Sequence, residues 1–133
     1  KYREAHDIMV SMLDFAQAEE IRIADLGCGF GDTSAATEDA LILNGCVHKL
    51  GAVKYDYTPG DYMKPWRFND QEGRLKLEFV PFKERVAQTN MAVIFSEVHQ
   101  MFGRYNGEVI TDDGKSLEIT NLVGFAEQHQ ARW

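Results

Sequence analysis

Glu72-Gly73-Arg74-Leu75-Lys76-Leu77-Glu78-Phe79 decides the fold class. Leu75, Leu77 and Phe79 alternate with Arg74, Lys76 and Glu78. A period of two puts the apolar side chains on one face of an extended strand and the charges on the other. Gln71, Glu72 and Gly73 supply a turn just before it. The same period spreads outward in both directions. Val53, Tyr55 and Tyr57 alternate with Lys54 and Asp56, and Met91, Val93 and Phe95 continue the pattern. Val109 and Ile110 run into Asp112-Asp113-Gly114, a hairpin signal, with Leu117 and Ile119 beyond it. Gly103 and Gly107 sit inside strand-like sequence, where glycine marks a bulge or a bend. Residues 21–133 therefore read as a mainly β module, an antiparallel sheet closing into a half-barrel, barrel or sandwich.

The first residues read differently. Tyr2, Ala5, Met9, Met12 and Ala16 recur at three- and four-residue spacing, with Ile8 and Phe15 widening the stripe. That spacing predicts an N-terminal α-helix over 2–19, so residues 1–20 form a helical unit. A short strand is expected from Ile21 to Leu26, ahead of a loop with Gly27, Gly29 and Gly31. Thr33 to Asn44 leaves two readings open. Ala35, Ala36, Ala40, Leu41 and Leu43 line one face of a helix capped by Gly45. Alternatively, Asp39 to Leu43 is a strand and Asn44-Gly45 turns it into Cys46 to Leu50.

Composition narrows the partners. The chain has 133 residues, enough for one domain with a real core. Its 14 basic against 21 acidic residues leave a net charge of -7, which repels a phosphate backbone, so no nucleic-acid partner is expected. No apolar run approaches membrane-spanning length. Cys28 and Cys46 form no C-x-x-C pair, and His6, His48, His99 and His129 lack metal-ligand spacing. No metal is expected, and a cytoplasmic location with reduced thiols is.

Ile21-Arg22-Ile23-Ala24-Asp25-Leu26-Gly27-Cys28-Gly29-Phe30-Gly31 is hydrophobic strand, acid, then G-x-G-x-G. This resembles the first motif of class I S-adenosylmethionine-dependent methyltransferases. The resemblance implies that Gly27, Gly29 and Gly31 let the backbone approach the cofactor, with Asp25 beside them and Asp56 on the ribose hydroxyls. Residues 60–133 depart from it. They offer hairpin-length turns, where a parallel sheet needs crossovers of roughly a dozen residues.

A second resemblance covers residues 29–133. GFGDTSAATEDALILNGCVHKLGAV, DYMKPWRF, EGRLKLEFVPFKER, SEVHQMFGRYNGEV and DDGKSLEITNLVGFAEQHQARW follow in order. Together they look like the C-terminal part of a bacterial family known as a domain of unknown function. That family resembles lipocalin-like, calycin-type β proteins and is longer on its N-terminal side. The resemblance implies a cavity for a small apolar ligand, with a few polar groups fixing its orientation. His48, Tyr57, Asp61, Trp66, Arg67, Glu97, His99, Arg104, Glu127, Arg132 and Trp133 are the residues that could line its mouth. Each also has a plain structural use. Trp66 after Pro65 plugs a sheet end, the arginines pair with carboxylates, and a strand histidine is most often a satisfied structural one. Glu97 and His99 are two apart, so both project from one strand face, as a pair with a raised imidazole pKa.

The functional expectation is thus a non-enzymatic β module that binds a small apolar ligand, without a cofactor. The alternatives are a methyltransferase segment using S-adenosylmethionine and a purely structural half-barrel. A helix over Thr33 to Asn44 favours the methyltransferase; a hairpin favours the β module. A barrel cut open would also leave an edge unpaired, and Leu75, Leu77, Phe79, Val93 and Phe95 uncovered. Self-association or a missing N-terminal domain is expected to cover them, with the helix as an internal substitute.

Overall fold

The computed structural model describes residues 4–12, 21–22, 40–43, 46–91 and 94–132. Nine strands run in chain order: β1 Glu4–Met12, β2 Ile21–Arg22, β3 Ala40–Leu43, β4 Cys46–Lys49, β5 Val53–Asp56, β6 Trp66–Asp70, β7 Leu75–Met91, β8 Ile94–Ile110 and β9 Ser116–Arg132. They make a six-stranded sheet ordered β1-β9-β8-β7-β6-β5 and a three-stranded sheet ordered β2-β3-β4. Every pairing among them is antiparallel. The mainly β, antiparallel expectation holds. The large sheet is open, with β1 and β5 at its ends, and the described residues form no closed barrel.

β6 and the first half of β7 build the core by alternation. Trp66, Phe68, Leu75 and Phe79 are fully buried, and Leu77 nearly so, while Arg67, Asn69, Lys76 and Glu78 are exposed. Met101, Tyr105 and Val109 of β8, with Ile119 and Ala126 of β9, extend the same inner face. Leu41 and Leu50 join this core, so β3 and the residue after β4 pack against the large sheet. The expected exposure of Leu75, Leu77 and Phe79 is therefore corrected: the core buries them. Phe95 is half-buried, and Val93 lies outside the described residues.

Two of the three expected turns behave as their sequences require, and the strands on either side of the third pair with each other. In the turn before β7, Gly73 has φ 73° and the Asp70 carboxylate accepts the Leu75 amide at 2.9 Å. Gly114 has φ 80° in the loop between β8 and β9. Leu43 pairs with Cys46, so β3 and β4 are joined through Asn44 and Gly45. The hairpin reading of that segment holds from Ala40 onward; residues 33–39 lie outside the described residues.

Two irregularities re-aim the long strands. In β7 the register passes from Pro81↔Gly103 to Lys83↔Phe102, so Phe82 is an extra residue. Proline has no amide hydrogen to give a ladder, so it suits a bulge or an edge. Pro81 is at both, because β6 pairs with β7 only as far as Phe79. The bulge swaps the faces: Glu84 now lies opposite the buried Met101, on the inner side. Between β8 and β9 a second shift sets Thr120 and Asn121 of β9 opposite Asn106 of β8, so the extra residue is in β9, and Asn121 takes φ 53°. The bulge expected at Gly107 is thus in the partner strand, and Gly107 itself, at φ 143°, passes close to the Lys76 carbonyl. Gly103 serves close packing, because a Cβ on it would lie 2.6 Å from the Val80 carbonyl oxygen and would clash with the edge of the Phe79 ring.

Two expectations fail. Residues 4–12 are a strand and not a helix, paired residue for residue with β9 from Glu4↔Arg132 to Met12↔Gly124. Ile8, Val10 and Met12 also alternate at a two-residue period. With β9 offering nine consecutive backbone partners, tertiary pairing overrides the helical stripe. Residues 13–20 lie outside the described residues, as does the glycine loop. Met91, Val93 and Phe95 do not share one strand either, for Met91 pairs with Ile94 across the connection between β7 and β8. No glycine, proline or aspartate marks that reversal.

Candidate functional site

Where the inner face passes beyond the core, its chemistry changes. Tyr57, Tyr62 and Trp66 form an aromatic row along the core margin. Tyr57 stacks on Trp66 with centroids 4.6 Å apart, and the Trp66 indole N–H donates to the Tyr62 carbonyl at 2.9 Å. The Tyr62 ring in turn lies 4.6 Å from the imidazole of His99 on β8. The segment between β5 and β6 thus carries the aromatic row onto β8.

His99 is gripped from both sides. Its Nδ1 lies 2.7 Å from Glu84 Oε1, and its Nε2 lies 2.8 Å from Glu97 Oε1. Glu97 also accepts from the Gln88 amide at 3.0 Å. Burial pulls the imidazole pKa down, but the hydrogen bonds and charges of Glu84 and Glu97 outweigh it. They hold the ring above its ordinary value of 6.5. When protonated, the ring donates from both nitrogens, so it is a cation held between two anions. The carboxylates occupy opposite ring nitrogens and do not converge on a common point. That is a clamp and not a metal cage; among the described residues no group of three or more His, Cys, Asp or Glu is placed to hold a metal.

The structure brings together Tyr57, Trp66, Glu97 and His99 of the candidate residues and scatters the others. Arg132 pairs with Phe95 at the far end of β9. His48 faces the loop after β8, with its Nδ1 3.2 Å from the Asp112 amide. Asp61 is exposed and pairs with Lys64 at 3.2 Å. Arg67 is on the outer face of β6, beside a shallow depression that Asn69, Lys76, Glu78 and Asn106 also line. Arg104 is exposed and donates to the Asn121 carbonyl at 3.4 Å. Glu127 is outside too, accepting from Gln100 at 3.2 Å. Trp133 lies outside the described residues.

Sequence reasoning missed Glu84 and Tyr62. The bulge at Phe82 puts Glu84 on the inner face, and only Pro81 signals it. Tyr62 is in a loop without a period. Of the cofactor residues, Asp25, Gly27, Gly29 and Gly31 lie outside the described residues. Asp56 is exposed and pairs with Lys54 at 3.1 Å.

Fold and site together define an open antiparallel β module whose aromatic core margin ends in a clamped histidine. The chain belongs to the family described as domain of unknown function DUF2804, which it matches over residues 11–133. That match takes in the glycine loop and begins ahead of the Gly29 from which the sequence resemblance ran. No curated protein and no solved structure matches the chain. Among the described residues no helix is long and apolar enough to cross a membrane.

Proposed function

We propose that this module binds a small, mostly apolar molecule on the inner face of its large sheet, where the aromatic row meets His99. The observation that carries this is the Glu84–His99–Glu97 clamp at the border of Tyr62 and Trp66. An apolar surface with a few convergent polar groups is the usual make-up of a small-molecule site. Val86, directly across from His99, is 52% exposed, so the surface beside the clamp is accessible from the β7 side.

The clamp also sets the polarity of the ligand. Two carboxylates and one imidazolium sum to one negative charge. A hydroxyl or ammonium group can donate to the spare carboxylate lone pairs; a ligand carboxylate meets repulsion. The ligand class is therefore an apolar body ending in a hydrogen-bond donor. The hairpin of β3 and β4 and the antiparallel sheet support this reading over a methyltransferase segment, which requires parallel strands with crossovers.

Titrating the protein with a medium-chain fatty alcohol while following intrinsic tryptophan fluorescence tests the proposal. Saturable binding that weakens about tenfold in Glu84→Gln, a loss of roughly 1.4 kcal/mol, is the expected result. Equal binding by the variant, or none by the parent, leaves the aromatic row and clamp as purely structural features.

A further inference from the structure

Beyond Phe79, β7 has β8 on one side and no strand on the other among the described residues. Its residues from Phe82 to Met91 are all exposed. They include Phe82 at 55%, Val86 at 52% and Met91 at 65%. An open edge of this length displays unpaired amide and carbonyl groups, which template pairing with another strand. Natural edges are blunted by charge or by a bulge; here the bulge at Phe82 and the charges of Lys83, Glu84 and Arg85 stand at one end, and the stretch from Val86 to Met91 carries neither.

The charges on this edge have a definite sign. Glu84 is turned to the inner face and bonded to His99. Lys83 and Arg85 stand on the outer face, exposed, and make no ion pair among the described residues. Across from them on β8 are Phe102 and Gln100, which carry no charge. The free charge of the edge is therefore cationic, on a chain whose net charge is -7.

We propose that the β7 edge from Phe82 to Met91 docks an extended, acidic peptide segment by strand addition. Backbone pairing supplies the affinity, and acidic residues at every second position of the guest meet Lys83 and Arg85. A second copy of this chain is a poorer occupant. Pairing the edge with itself about Arg85 or Val86 sets Arg85 opposite or diagonal to its own copy, and like charges across a strand pair are destabilising.

The probe is a synthetic peptide of alternating Thr or Val and Glu, as long as the open edge, titrated calorimetrically into the full chain. Its analogue with Lys at each Glu position is run in parallel. Two further analogues are N-methylated at odd or at even positions, which removes backbone donors from one side without altering the protein. The expected result is saturable binding that is at least tenfold weaker for the Lys analogue. The Lys83→Glu/Arg85→Glu protein, checked as folded by circular dichroism, should also bind at least tenfold more weakly. Only one N-methylated series should lose binding. The proposal is overturned if no saturable binding occurs, if the Glu and Lys peptides bind alike, or if both N-methylated series bind like the parent. It is equally overturned if sedimentation shows the full chain already dimeric and the double variant monomeric, for the occupant is then a second copy.

Discussion

His99 and Glu84 reach each other diagonally across β7 and β8, with His99 Nδ1 2.7 Å from Glu84 Oε1. The contact exists because the bulge at Phe82 turns Glu84 inward. Without that extra residue Glu84 would point to the outer face and His99 would keep only Glu97. One irregularity in strand register thus converts a strand histidine into a doubly bonded one.

The clamp should make stability depend on pH with a definite sign. The folded pKa of His99 lies above its ordinary 6.5, so the native state holds the proton more tightly than the unfolded chain. The contribution is full below the ordinary value and is lost as pH rises through the folded one. Urea unfolding at a series of pH values should therefore show the parent outlasting His99→Gln by more on the acid side of this window than on the alkaline side. Titration of the His99 ring by NMR should give a midpoint above 6.5. A midpoint below that value would sink the argument.

The glycines in β8 should be intolerant of a methyl group. In Gly103→Ala the new Cβ meets the Phe79 ring and the Val80 carbonyl oxygen at 2.6 Å, and neither can step aside inside the core. A loss of about 1–3 kcal/mol is expected. Gly107→Ala adds the strain of φ 143° to a clash with the Lys76 carbonyl, so it should cost at least as much. Gly60→Ala, where nothing lies within 4 Å, should cost only the left-handed backbone, about 1–2 kcal/mol. Urea midpoints for the three variants check the order.

Arg74 ties three segments together. Its Nε donates to the Ile110 carbonyl at 3.1 Å, Nη1 to the Lys49 carbonyl at 2.7 Å, and Nη2 to Asp112 Oδ1 at 2.5 Å. Lysine cannot serve three directions from one point charge. Arg74→Lys should cost about 1–2 kcal/mol and speed amide exchange at Ile110, whose N–H donates to the Arg74 carbonyl at 2.7 Å. Unchanged stability would mean that the guanidinium only decorates the junction.

The core half of this fold was legible because its strands alternate cleanly and its turns carry glycine. Leu75, Leu77 and Phe79 announce one buried face, and Gly73 and Gly114 announce the reversals. The strand of Trp66 and Phe68 was not legible, because Trp66 after Pro65 reads as a plug at a sheet end. β1 was not legible, because Met9 and Met12 satisfy a helical stripe as well as a strand, and the deciding partner, β9, is over a hundred residues away. The reversal after Met91 was hidden for the opposite reason: its residues look like strand throughout. Of the candidate site, Glu97 and His99 were readable from their two-residue spacing. Glu84 was not, since a bulge has no fixed period.

The central claim is that the inner face binds an apolar molecule with a hydrogen-bond donor at the His99 clamp. The most direct test is to follow the ring resonances of His99, Tyr62 and Trp66 by NMR during titration with a medium-chain fatty alcohol, and then with the fatty acid of equal length. The account predicts saturable shifts at these three rings for the alcohol, and binding of the acid about tenfold weaker, near 1.4 kcal/mol. Shifts confined to the outer face around Arg67 and Arg104, or equal binding of alcohol and acid, would contradict it.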